Sequence, residues 1–151
     1  MIRHALATLA YRAGKAVREA PPDFGAFSLA EGSRSAGQIL AHMGDLMDWA
    51  GSIVEGRQTW QDSPAQDWQA DVRRFFEALA RFDALLERQP PDAALAARLF
   101  QGPIADALQH TGQIALMRRL AGSPIRGENY FVAEIAAGRV GPDQRPPRKE
   151  F

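Results

Sequence analysis

The chain has 151 residues, enough for one domain with a real core. Lys plus Arg and Asp plus Glu number 18 each, so the net charge is zero and nothing in the charge balance calls for nucleic acid or an anionic membrane as partner. There is no cysteine, which excludes disulfides, iron–sulfur clusters, thiolate zinc sites and a cysteine nucleophile.

No apolar run approaches the roughly 20 residues of a membrane-spanning helix. The segment from Met1 to Ala20 carries arginines and an amphipathic pattern but no continuous apolar core of an export signal. It reads as a first helix, and a cytoplasmic location is expected. Ile2, Leu6, Leu9, Ala13 and Val17 form one helical stripe, which predicts a helix from Ile2 to about Arg18, closed by Pro21 and Pro22. Asp23 to Gly32 is a connector, with Phe24, Phe27 and Leu29 as its anchors to the core. Ser33 or Ser35 caps a second helix, which carries Ile39, Met43, Leu46, Ala50 and Ile53 and runs to about Val54 before Gly56.

Ser63-Pro64-Ala65-Gln66 has the form of a capping box with proline at the first helical position. A third helix is expected to follow, with Trp68, Val72, Phe75, Leu79, Phe82 and Leu86 on its apolar face and Pro90-Pro91 at its end. Asp92 to Phe100 predicts a short helical lead-in. Gly102-Pro103 then interrupts and restarts the chain, and a fourth long helix spans about Pro103 to Ala121, with Gly122 as its stop. Arg118 and Arg119 fall in its last turn, where cations suit the helix dipole. A short helix is expected from Asn129 to Ala137, and Gly138 to Phe151 reads as an extended tail. Four amphipathic helices with short to medium links predict an all-α four-helix bundle.

Only three histidines occur, and two fall in the cores of these helices. In Asp106-Ala-Leu-Gln-His110-Thr-Gly-Gln113, a carboxylate and an imidazole are four residues apart and share one helix face. His42 lies in or beside the apolar stripe of the second helix. Taken singly, each histidine is a core-edge residue satisfied by backbone or water, and Asp106 is a first-turn carboxylate favoured by the dipole. Taken together, His42, Asp106 and His110 form a ligand set, because unpaired burial of such groups is costly and a divalent cation is an efficient partner. Gln113, one turn beyond His110, is placed to bond a metal-bound water or a substrate, or to make a plain interhelical hydrogen bond. Asp45 is placed to hold the His42 imidazole, or to stand in solvent. Trp49, Trp60 and Trp68 read as core or rim aromatics, Met43, Met47 and Met117 as packing, and His4 as no ligand.

The segments Ala36-Gly-Gln-Ile-Leu-Ala-His42-Met-Gly-Asp45-Leu and Gly102-Pro-Ile-Ala-Asp106-Ala-Leu-Gln-His110-Thr-Gly-Gln113-Ile-Ala-Leu-Met-Arg-Arg-Leu-Ala-Gly122 resemble the DinB/YfiT-like metalloenzyme superfamily. The resemblance covers roughly residues 3 to 125, and its specific part is these two segments. It implies an up-down-down-up four-helix bundle over residues 1–125. Residues 126–151 would form the short C-terminal helix and extended tail, packed on the bundle or on a partner subunit. Within it, Gly127-Glu128-Asn129-Tyr130 would fold back over the open end of the site or reach that partner. The resemblance further implies a homodimer and a divalent metal held by one histidine of the second helix and an H-x-x-x-H pair of the last. By position, His42 and His110 are two of these ligands, and Asp106 stands where the family usually has histidine. Zinc, nickel and iron all accept two imidazoles and a carboxylate.

Two functions fit this reading. One is a metal-dependent enzyme, a thiol transferase or hydrolase, acting on a small-molecule or thiol substrate at an open coordination position. The other is a non-catalytic metal or small-molecule binding bundle, or a dimeric scaffold with a degenerate site, which the aspartate at position 106 favours.

Overall fold

A computed structural model describes residues 1–151, and its regular structure is entirely helical. The helices are α1 (Ile2–Val17), α2 (Ala36–Val54), α3 (Trp68–Arg88), α4 (Ala93–Leu99) and α5 (Ala105–Leu120). The closest partnership is α2 against α3, while α1 packs on α5 and, less extensively, on α3; α2 also meets α5. The expected stripes supply the core. Leu6, Leu9, Leu40, Met43, Met47, Phe75, Leu79, Phe82, Ile114 and Met117 are all fully buried in one continuous cluster. No helix is long and apolar enough to cross a membrane.

Local signals fix most helix starts. The Ser35 hydroxyl accepts from the Gln38 amide, and the Gln38 side chain accepts in turn from the Ser35 amide, a complete capping box on α2. Asp67 and Asp92 cap α3 and α4 through the amides of Ala70 and Leu95. After α2, Gly56 takes a left-handed conformation (φ +77°), which an L side chain resists.

Four sequence expectations change. Ser63 does not cap a helix. Its amide and hydroxyl both donate to the Asp45 carboxylate, at 2.9 and 2.7 Å, which ties it to α2, and α3 begins only at Trp68 with Asp67 as its cap. Gly102-Pro103 does not break the chain. A wider π-type turn, Phe100–Ile104, carries the helical path from α4 into α5, relieving the clash that the Pro103 ring would make in a standard turn. Leu29 is half exposed, and only Phe24 and Phe27 anchor the connector.

The fourth change is in the tail. The expected helix at 129–137 is one 3₁₀ turn, Tyr130–Val132, followed by extended chain at Ala133. Its backbone is committed elsewhere, since the Asn129 amide donates to the Lys149 carbonyl and the Phe151 amide to the Gly127 carbonyl. This returning tail is anchored on α1. Buried Glu128 accepts from the Tyr11 hydroxyl at 2.6 Å and from Lys15 at 2.7 Å, and Lys15 also reaches Glu150. The Arg12 guanidinium lies over the Tyr130 ring. The Gly127–Tyr130 stretch therefore docks on α1 and touches none of the three candidate ligands.

Candidate metal centre

Two helices build the centre. α2 presents His42, the first turn of α5 presents Asp106, and the next turn presents His110. The Nε2 atom of His42 stands 3.5 Å from Oδ2 of Asp106, and Nε2 of His110 stands 3.3 Å from Oδ1. All three ligand atoms lie within 4.8 Å of one another. The two imidazoles meet edge to face with centroids 5.0 Å apart. A tetrahedral ion with bonds of about 2.1 Å separates its ligand atoms by about 3.4 Å. Each imidazole stands close to that separation from one oxygen of the carboxylate, His42 from Oδ2 and His110 from Oδ1, and the whole set within 4.8 Å is compact enough for a small divalent cation to draw together.

The hydrogen bonds around the imidazoles fix which nitrogen faces inward. His110 Nδ1 lies 2.8 Å from the Gln113 carboxamide oxygen. An amide oxygen only accepts, so Nδ1 carries the proton and Nε2 presents its lone pair to the centre. Gln113 thus supports a ligand from behind. The His42 ring is held differently. Its Nδ1 is buried with no partner, and the ring meets the half-exposed Trp60 indole at a steep angle, with centroids 5.5 Å apart. Burial, then the positive charge of Arg34 and the neighbouring His110 ring, push the His42 pKa below its ordinary value against the pull of Asp106. The neutral form, the one a metal requires, therefore prevails at pH 7.

Exposure shows where the centre opens. The side chains of His42 and His110 retain 15% and 11% of their accessible surface, against 42% for Asp106. A ligand approaches from the Asp106 side. The opposite flank is closed by the loop between α2 and α3, which is pinned on both sides of Trp60. Thr59 donates to the Ser52 hydroxyl at 2.9 Å, and Ser63 donates twice to Asp45. Trp60 also packs edge to face on Trp49, with centroids 5.9 Å apart.

Asp45 is not behind His42 as the spacing suggested. It is buried and takes Ser63 on one side and the Arg74 guanidinium on the other. Arg74 also donates to the Ala41 carbonyl at 2.9 Å. Gly44 makes room for it, because a Cβ there would stand 2.7 Å from Arg74 Nη1. Trp68 is core, His4 is exposed and apart, and Met43, Met47 and Met117 are packing. Arg118 is more than a helix-end cation. It is buried and ties α5 to the end of α1 through the carbonyls of Ala16 and Arg18, each at 2.9 Å.

The sequence reading missed the roles of Trp60, Arg34 and Arg74. Nothing in their spacing links them to the centre; the folding of the connector before α2 brings Arg34, that of the α2–α3 loop Trp60, and that of α3 Arg74. Comparison with protein-family models, with curated proteins and with solved structures finds no match for the chain.

Proposed function

We propose that the chain is a DinB-like four-helix bundle that holds a divalent cation on His42, Asp106 and His110 and works as a metal-dependent transferase or hydrolase. The observation that carries this reading is the gathering of three ligand atoms within 4.8 Å, with the His110 imidazole turned inward by Gln113. Zinc, nickel and iron are the metals that suit two imidazoles and one carboxylate. When bound, the cation would act as a Lewis acid and lower the pKa of a water or thiol in an open position. The chain's own residues supply the rest. Gln113 fixes the His110 tautomer, Trp60 packs against the His42 ring, and the exposed carboxylate of Asp106 marks the side of approach.

A specific feature favours the non-catalytic alternative. A metal-bound His42 must carry its proton on Nδ1, and that atom is buried without an acceptor. In a metal-free protein the proton sits on Nε2, which stands 3.5 Å from the Asp106 carboxylate, and only an unused lone pair is left behind. The second reading is therefore a binding bundle or scaffold with a degenerate site.

Calorimetric titration with zinc, nickel and iron(II) separates the two. The wild type should bind at a single site, His110→Ala should lose it, and Asp106→His should keep it with an altered metal preference. A wild type that takes up no metal, beside an Asp106→His variant that does, would establish the degenerate reading. Uptake by neither would remove the metal centre altogether.

A cytoplasmic homodimer completes the proposal. Its support is the exposed apolar surface of Leu116 and Leu120, one turn apart on α5, and of Phe131. Light scattering should give twice the chain mass at micromolar concentration; a monomer mass would contradict it.

A further inference from the structure

A hollow of about 320 Å³ lies beside the centre, between the second half of α2 and the α4–α5 passage. That volume is at the lower end of small-molecule sites. Trp49, Ile53, Leu95, Leu99 and Pro103 form its apolar wall, Gln58 and Gln101 are its neutral polar groups, and Arg98 is its one charged group. No acid lines it, and Arg98 is exposed and makes neither an ion pair nor a side-chain hydrogen bond. The larger hollow between α2 and α3, about 660 Å³, differs in this respect. Acids line it: Asp48 and Glu55 pair Arg81 and Arg57, and Arg88 stands in the same hollow as those carboxylates.

Position connects the smaller hollow to the centre. Trp49 follows His42 by seven residues, two helical turns, so it stands on the same face of α2 about 10 Å along the axis. Pro103 precedes Asp106 by three residues on the α5 side. The gap is bridged by indoles: Trp49 lines the hollow and touches Trp60, and Trp60 meets His42. An aromatic floor thus runs from the imidazoles to an unpaired cation.

We propose that this hollow is the binding subsite for a small amphipathic carboxylate. The carboxylate pairs with Arg98, the apolar body lies along Trp49 against Ile53 and Leu99, and the far end points along Trp60 towards the centre. Arg98 is suited to this, since a guanidinium binds a carboxylate through two parallel N–H donors. A cationic ligand would meet no counter-charge here. The inference rests on the metal-site reading for one point only, the direction in which the far end lies. Occupancy of the hollow does not depend on a metal.

The test uses the full chain with 4-phenylbutyrate as probe and 4-phenylbutylamine as its opposite-charge control. Binding is followed by tryptophan fluorescence and by calorimetry, on metal-free and zinc-treated protein. The carboxylate should bind saturably and change the emission, because Trp49 and Trp60 form the floor. The amine should show no saturable binding. Arg98→Glu should weaken the carboxylate about tenfold or more, the loss expected for one charge-assisted pair. Arg98 is exposed, so the variant should melt with the wild type, and Trp49→Leu gives a second, charge-neutral test with the same expected loss. His110→Ala should bind the probe as the wild type does. Absence of saturation, equal binding of the amine, or indifference to both Arg98→Glu and Trp49→Leu would overturn the subsite. Probe binding by a protein that takes up no zinc would sink the metal reading alone. Zinc uptake without probe binding would sink the subsite alone.

Discussion

Gly44→Ala gives a test of how the site's outer wall is held. Replacing glycine by alanine inside a helix ordinarily stabilises it by about 1 kcal/mol. Here the new methyl would stand 2.7 Å from Nη1 and 3.3 Å from Cζ of Arg74. Neither separation is tolerable, so the guanidinium must move. It is pinned by the Ala41 carbonyl and by the buried Asp45 carboxylate, which in turn fixes Ser63 in the loop that carries Trp60. Loosening a charge-assisted pair to a buried carboxylate costs roughly 1.5–3 kcal/mol. The net effect should be a destabilisation of about 0.5–2 kcal/mol, or a melting point lower by about 1–8 °C for a chain of this size. Urea and thermal denaturation followed by circular dichroism measure it. In an Arg74→Ala background the clash is gone, and the same substitution should become stabilising by about 0.5–1 kcal/mol. The reasoning is refuted if Gly44→Ala stabilises the protein that retains Arg74.

Two further outcomes are expected. Gln113→Ala frees the His110 ring to turn and should weaken metal binding by about 10–100-fold without unfolding the chain; unchanged affinity by calorimetry would show that Gln113 does not orient the ligand. Asp71 is buried with one carboxylate oxygen unpartnered, and burial holds its pKa above the ordinary value against the Gln66 amide. A raised carboxyl pKa means that the protonated form is preferred on folding. Its contribution to stability is therefore present below about pH 4 and lost as pH rises through the folded-state pKa. Asp71→Asn should gain stability relative to the wild type between pH 4 and 7 in chemical denaturation; an equal difference at both pH values would contradict this.

The sequence was legible where one residue's position follows from its neighbours. The apolar stripes of α1, α2 and α3 depend only on helical period, and Leu6, Met43 and Phe75 are buried where those stripes put them. The i, i+4 pairing of Asp106 and His110 is likewise local, and their meeting with His42 needed only that both lie on core-facing stripes. What failed was competition between partners. Ser63 has a cap's chemistry, but the Asp45 carboxylate on α2 holds it, and Asp67 caps α3 instead. Asp45 has the spacing of a partner for His42, but Arg74 arrives from α3 and claims it. The Asn129–Ala137 segment reads as helical, but its start is tied to the returning chain end through the Asn129 amide and the Lys149 carbonyl. Gly102-Pro103 has the composition of a break, yet one widened turn absorbs the proline. Each outcome depends on a group distant in sequence, which no local pattern carries.

The central claim is that His42, Asp106 and His110 hold a metal. The most direct measurement is metal content by plasma mass spectrometry on protein purified without an affinity tag, beside His110→Ala prepared identically. Zinc, nickel or iron close to one equivalent per chain in the wild type, and little in the variant, is the predicted result. A wild type free of metal, or a variant that retains as much as the wild type, would contradict the claim.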